Sequence, residues 1–80
     1  MEKIRNRLLY FIKEIIGKEN YDIFIKYIDN DMLNLYMDSL DIVEFVMKIE
    51  EEYKITVDDF YGWEDMLLDD VVKYIKNRLG

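Results

Sequence analysis

Apolar residues recur in steps of three and four along three long stretches, and each such stretch reads as an amphipathic helix. From Glu2 to Ile16, Ile4, Leu8, Phe11, Ile12 and Ile15 share one face, and Gly17 is a natural C-terminal stop. From Asp38 to Tyr53, the inward face is Ile42, Phe45, Val46, Ile49 and Tyr53. From about Leu67 to Leu79, it is Leu68, Val71, Val72, Ile75 and Leu79. In that last helix Asp69 and Asp70 come early and Lys73, Lys76 and Arg78 late, an order that complements the helix dipole.

The connections are less regular. Between Lys18 and Met37, Tyr21, Ile23, Ile25 and Tyr27 alternate as a strand would, while Phe24 and Ile28 permit a helical turn. The expectation is a partly helical loop. Asp29-Asn30-Asp31 is a turn or a cap, and it lacks the glycine and the distal bidentate acid of a calcium loop. Met32, Leu33 and Leu35 are expected to tuck under the bundle and fix where Ser39 emerges. Lys54 to Val57 alternates too, but a lone strand has no partner here, so an extended linker is expected. Asp58-Asp59-Phe60-Tyr61 begins a short third helix that Gly62 can end, and Trp63 anchors this segment to the core. The predicted fold is all-α: a small four-helix bundle of three long helices and one short, filling residues 1–80 as a single domain.

Composition narrows the chemistry. The chain has no cysteine and no histidine, which removes disulfides, thiolate metal sites and the commonest general base. A net charge of −7 disfavours nucleic acid and anionic membrane surfaces and favours partners with basic surfaces. No apolar run reaches the roughly 20 residues that span a bilayer. Lys3, Arg5 and Arg7 before Leu8 to Ile12 faintly resemble a signal peptide, but Lys13 and Glu14 interrupt the run and no small-residue cleavage site follows. A cytoplasmic monomer is expected. The first segment is basic, and a solvated helix face explains this better than an anion site.

The helix from Asp38 to Tyr53 carries a second apolar stripe, Leu40, Val43 and Met47, where a surface helix is ordinarily polar. Asp38, Asp41, Glu44, Glu50, Glu51 and Glu52 flank it, with only Lys48 against them. Asp38 is the better N-cap, because Asp41 three residues on suits the first turn; with Ser39 as cap that position would be Ile42. This choice makes Ser39 the first helical residue and does not commit its hydroxyl to capping. A helix start also tolerates a phosphate. On composition alone, a serine at such a place simply begins a helix.

Asp38-Ser39-Leu40-Asp41, then Val43-Glu44, then Glu50-Glu51-Glu52-Tyr53-Lys54-Ile55, resembles the signature of the acyl carrier protein family. The triplet alone is weak, but the longer run at its spacing from both chain ends is specific. The fit is loosest between Gly17 and Met37 and around Trp63. One departure is Tyr36, where the family usually has glycine three residues before the serine; it bears on the local turn and on which activating enzyme accepts the protein.

The resemblance implies a free-standing carrier that catalyses nothing. Ser39 would carry phosphopantetheine through a phosphodiester, and acyl groups would ride on its terminal thiol. With no cysteine in the chain, that thiol must come from an added group. A phosphopantetheinyl transferase would use coenzyme A, with the Ser39 hydroxyl attacking phosphorus and adenosine bisphosphate leaving. Asp38 would cap and position the helix. Asp41 and Glu44 would meet the basic surfaces of acyl-transferring and acyl-modifying enzymes, with Leu40, Val43 and Met47 the apolar centre of that contact. The acid-rich helix favours service in fatty-acid or related biosynthesis; Tyr36 and the unusual loop point to a specialised polyketide or nonribosomal peptide pathway. Two other classes compete, an unmodified helical interaction module and a hydrolase using paired carboxylates. Exposed acids on one helix flank keep ordinary acidity and do little chemistry, which disfavours the hydrolase.

Overall fold

Four α-helices and two short 3-10 turns appear in the computed structural model, which describes residues 2–58 and 61–80. The helices are α1 (Glu2–Ile16), α2 (Lys18–Tyr27), α3 (Ser39–Tyr53) and α4 (Leu68–Leu79). The 3-10 turns are Leu33–Leu35 and Tyr61–Asp65. No strand occurs among the described residues. The all-α bundle read from the sequence is therefore what forms, although its shortest α-helix lies elsewhere than expected.

Helix α1 is the hub, packing against α2, α3 and α4 in turn. Leu8, Phe11 and Ile12 of α1 are buried, as are Ile42, Phe45, Val46 and Ile49 of α3 and Leu68, Val71, Val72 and Ile75 of α4. These are the predicted inward faces, apart from four residues at or near helix ends. Ile4, Ile15 and Tyr53 are only half-buried, and Leu79, the last residue of α4, is exposed. Trp63 is buried and stands edge-on between Phe45, at 6.2 Å between ring centres, and Tyr74, at 5.6 Å. It is the core anchor expected.

The segment between α1 and α3 corrects the sequence reading. Residues Lys18 to Tyr27 form ten residues of α-helix, where a partly helical loop was expected. The physical reason lies in Tyr21, Phe24 and Ile28, which follow helical spacing; Phe24 and Ile28 are buried and Tyr21 half-buried. Ile23, Ile25 and Tyr27, which suggested alternation, remain exposed. Gly17 does end α1, and it also starts α2: its φ of 85° is a conformation that residues with a Cβ rarely adopt. Its N–H donates to the Lys13 carbonyl, and its carbonyl accepts from Tyr21 N–H.

Further on, Asp29-Asn30-Asp31 forms a turn as expected. Leu33 is fully buried, but Met32 and Leu35 are exposed, so only one of the three residues tucks under the bundle. A three-residue 3-10 turn can aim only one of such closely spaced side chains inward. The expected extended linker does not begin at Lys54, which closes α3 in the left-handed conformation at φ 55°. Ile55 to Val57 follow without a strand partner, and Val57 is buried. The expected third helix begins at Tyr61 and runs through Gly62 to Asp65, so Gly62 does not end it. Asp58, where its start was expected, lies in a bend, and Asp59 and Phe60 lie outside the described residues.

The basic first helix is not simply solvated. Arg5 contacts Asp29 at 3.3 Å and Asp69 at 3.4 Å, joining α1 to the turn after α2 and to the start of α4. Arg7 contacts Glu52 at 3.1 Å, joining α1 to the end of α3. Such exposed pairs are each worth under about 1 kcal/mol. Their role is to set which helix ends lie together.

Candidate functional site at the start of helix α3

Helix α3 begins as its sequence requires. Asp38 is the N-cap, with extended backbone, and its Oδ1 accepts from the Asp41 N–H at 2.8 Å. Asp41 Oδ2 in turn accepts from the Asp38 N–H at 3.2 Å, closing a reciprocal capping box. The Asp38 carbonyl accepts from Ile42 N–H at 2.9 Å. The two carboxylates are thereby turned onto backbone donors, an arrangement worth about 1 kcal/mol of helix stability. Ser39 is the first helical residue and is exposed.

Around it, the second stripe of α3 stays outside the core. Leu40 is 79% exposed and Met47 61% exposed, Val43 is half-buried and Glu44 exposed. The four core residues of the same helix are at most 3% exposed. Helix α3 thus presents an outward apolar strip that begins beside Ser39.

The six acids at the start of this helix and along it divide by task, which sequence reading foresaw only for the cap. Asp38 and Asp41 cap. Glu50 accepts from the Val57 N–H at 2.9 Å and so holds the linker after α3 beneath the helix. Glu52 pairs with Arg7. Glu44 and Glu51 make no ion pair among the described residues. Glu44 is the one beside the apolar strip. No group of carboxylates among the described residues is placed to hold a metal ion.

On the other side of the serine, the approach is anchored from below. Leu33 and Met37 are buried, and Leu33 N–H donates to the Met66 carbonyl at 3.0 Å. Tyr36, the departure noted above, has a φ of −125°, so this backbone needs no glycine. Its hydroxyl donates to Asp31 Oδ2 at 2.7 Å, and its ring meets Phe24 edge-on at 5.0 Å. The hydrogen bond to Asp31 raises the Tyr36 phenol above its ordinary pKa, and desolvation adds to this.

A groove of about 520 Å³ lies between α1 and the far end of α3, lined by residues that include Arg7, Phe11, Lys48 and Glu52. At 1.5 Å per residue, Lys48 and Glu52 sit roughly 14–20 Å along the helix from Ser39. The groove and the serine are separate features.

Comparison with known proteins agrees with this geometry. The family model described as a phosphopantetheine attachment site matches residues 7–75. An acyl carrier protein of Rickettsia massiliae is 37% identical over 79 residues, covering 96% of this chain and 87% of its own. The chain belongs to the acyl carrier protein family. Acyl carrier proteins of Cylindrotheca, 40% identical over 42 residues, and of Nitratidesulfovibrio vulgaris, 40% identical over 45, match a shorter stretch. Those two alignments span 52% and 59% of the relatives' own length. No solved structure matches the chain.

As a family member, the protein is a carrier and not a catalyst, it works with enzymes of acyl transfer, and its prosthetic group is covalently attached phosphopantetheine. The residues present fit that group. A phosphodiester needs a hydroxyl that an incoming phosphoryl donor can reach, and the start of α3 offers one on an exposed turn. The capping carboxylates are turned onto backbone N–H groups of the same helix start and so fix its frame.

Proposed function

We propose that Ser39 is the attachment point of phosphopantetheine, and that the outward strip of α3 is where partner enzymes dock. The observation that carries this reading is the start of α3: an exposed serine at the first helical position, fixed by a capping box. In loading, the Ser39 oxygen forms a bond to the phosphorus of coenzyme A, adenosine bisphosphate leaves, and the serine proton passes to the transferase or to solvent. Once attached, the group supplies a mobile thiol on which acyl chains ride as thioesters. The chain's own residues hold the serine and present the docking face.

Asp38, Asp41 and Glu44 give that face its negative charge, and Leu40, Val43 and Met47 its apolar centre. Charge steers a basic enzyme into place, and apolar burial supplies affinity. The proposal takes residues 1–80 as one carrier domain, acting as a monomer in the cytoplasm and serving fatty-acid or related biosynthesis. Tyr36 and the helical α2 favour a second reading, service in a specialised polyketide or peptide pathway.

Incubation with coenzyme A and a promiscuous phosphopantetheinyl transferase, read by intact mass, tests the assignment. The native chain gains the arm. Ser39→Ala keeps its helical circular dichroism and gains nothing. An Ala variant that is still modified refutes the assignment.

A further inference from the structure

The chain reaches Ser39 through residues 31–38, and this approach is held in an unusual way. Leu33 and Met37 pin it from below, but Met32 and Leu35 face solvent, the latter 64% exposed. Main-chain bonds close a tight local turn, with Tyr36 and Met37 N–H both donating to the Leu33 carbonyl at 3.0 Å, and tie its start to the Met66 carbonyl through Leu33 N–H. Tyr36, between the buried Leu33 and Met37, adds a polar tie and a ring contact. Its hydroxyl bonds Asp31 at 2.7 Å, five residues back, and its ring lies against Phe24. Phe24 in turn is fully buried, the side chain that seats α2. One tyrosine therefore joins α2, the turn that follows it and the approach to the serine.

A carrier loaded by another enzyme is a protein substrate, and an enzyme that brings a donor to Ser39 comes close to the chain on both sides of it. On one side stands α3, already ordered by its hydrogen bonds and capping box. On the other stands 31–38, held by a short turn, one main-chain bond to Met66 and its side chains, with no helix of more than three residues. Any freedom left there must be lost when the enzyme binds, and that loss weakens binding. A segment ordered in advance binds better with no new contact to the enzyme.

We infer that the Tyr36–Asp31 clasp is a positioning device for loading: it pre-orders the approach to Ser39, and the carrier's KM for the transferase depends on it. The inference rests on Ser39 being the attachment point. It assigns Tyr36 and Asp31 no contact with coenzyme A and no proton transfer. Leu33 and Met37 stay buried without the clasp, so its loss loosens the segment and leaves the bundle folded.

The test uses the full chain without its arm, coenzyme A and a purified transferase, well below the melting temperature. Tyr36→Phe keeps the ring on Phe24 and removes the hydroxyl. Asp31→Ala removes the acceptor from the other end. Each is expected to raise the KM for the carrier about three- to tenfold, the range that one hydrogen bond's net worth allows. The KM for coenzyme A and kcat stay at the native values. The double variant is no worse than either single one, because both remove the same bond. Asp31→Asn, whose amide oxygen still accepts, restores most of the native KM. A native KM in either single variant overturns the inference, and so does an additive double variant. Ser39→Ala runs alongside: if it gains the arm, the attachment assignment itself fails, an outcome distinct from any result at Tyr36.

Discussion

Phe45 and Met47 lie two residues apart on α3, yet truncating them should have opposite consequences. Phe45 has no exposed surface and packs against the Trp63 ring, so Phe45→Ala opens a cavity in the middle of the bundle. Such truncations cost about 3–5 kcal/mol. A domain of this size has a total stability of about 4–12 kcal/mol, so the variant is expected to lose at least about a quarter of it and to unfold at clearly lower urea. Met47 is already 61% exposed. Full burial of such a side chain is worth about 1.5–3 kcal/mol, so the remaining buried share is worth about 1 kcal/mol at most. Alanine's higher helix propensity recovers a little of that. Met47→Ala should therefore unfold in urea near the native midpoint, while losing rate when partner enzymes load Ser39 or transfer acyl groups. Urea unfolding and transfer rates, measured on the same preparations, decide the matter. If Met47→Ala cost 2 kcal/mol or more and transferred normally, the strip would be core and the division of α3 into two faces would be wrong.

Two further outcomes concern solution conditions. The stretch from Asp38 to Asp59 holds eight acids against Lys48 and Lys54 alone, so raising salt from low ionic strength should raise the melting temperature; a flat or falling curve refutes dominant repulsion. The phenols of Tyr36, raised first by its bond to Asp31, and of Tyr53, raised first by burial, hold their protons to higher pH folded than unfolded. Their contribution to stability is complete below about pH 10 and is lost as pH rises through the raised folded values. Tyr36→Phe should flatten this alkaline loss, and an unchanged alkaline slope in that variant removes the argument.

The long helices were legible because each buries one continuous face, and a face leaves a period in the sequence. Leu8, Phe11 and Ile12, or Val71, Val72 and Ile75, need no partner's identity to be read as inward. Helix α2 was not legible, because it buries so little. Phe24 and half-buried Tyr21 lie within it, and Ile28 caps it, while exposed Ile23, Ile25 and Tyr27 overwrite the helical period with an apparent alternation. What decides in favour of helix is α1, lying alongside and offering a surface that a lone strand could not use. The 3-10 turns are hidden for a related reason: three to five residues cannot display a period. Met32 and Leu35 looked as apolar as Leu33, and only the bond from Leu33 to the Met66 carbonyl tells which one goes inside.

The start of α3 was readable for a different reason, since capping is local chemistry between residues three apart. Asp38 and Asp41 fix the frame, the frame fixes Ser39 at the first helical position, and the spacing of Leu40, Val43 and Met47 then follows. The individual tasks of the acids are not local. Glu50 and Glu52 look no different in sequence from Glu44, but one holds Val57 and the other Arg7, partners set by how the chain folds back on itself. Net charge therefore overstates the docking surface. Of the acids on α3, two serve the helix start and two serve the fold, which leaves Glu44 beside the apolar strip and Glu51 near the far end. If partner enzymes dock at this strip as proposed, the acids they meet are Glu44 and the outer edge of the capping box. The charge they meet is smaller and better placed than the count along the helix suggests.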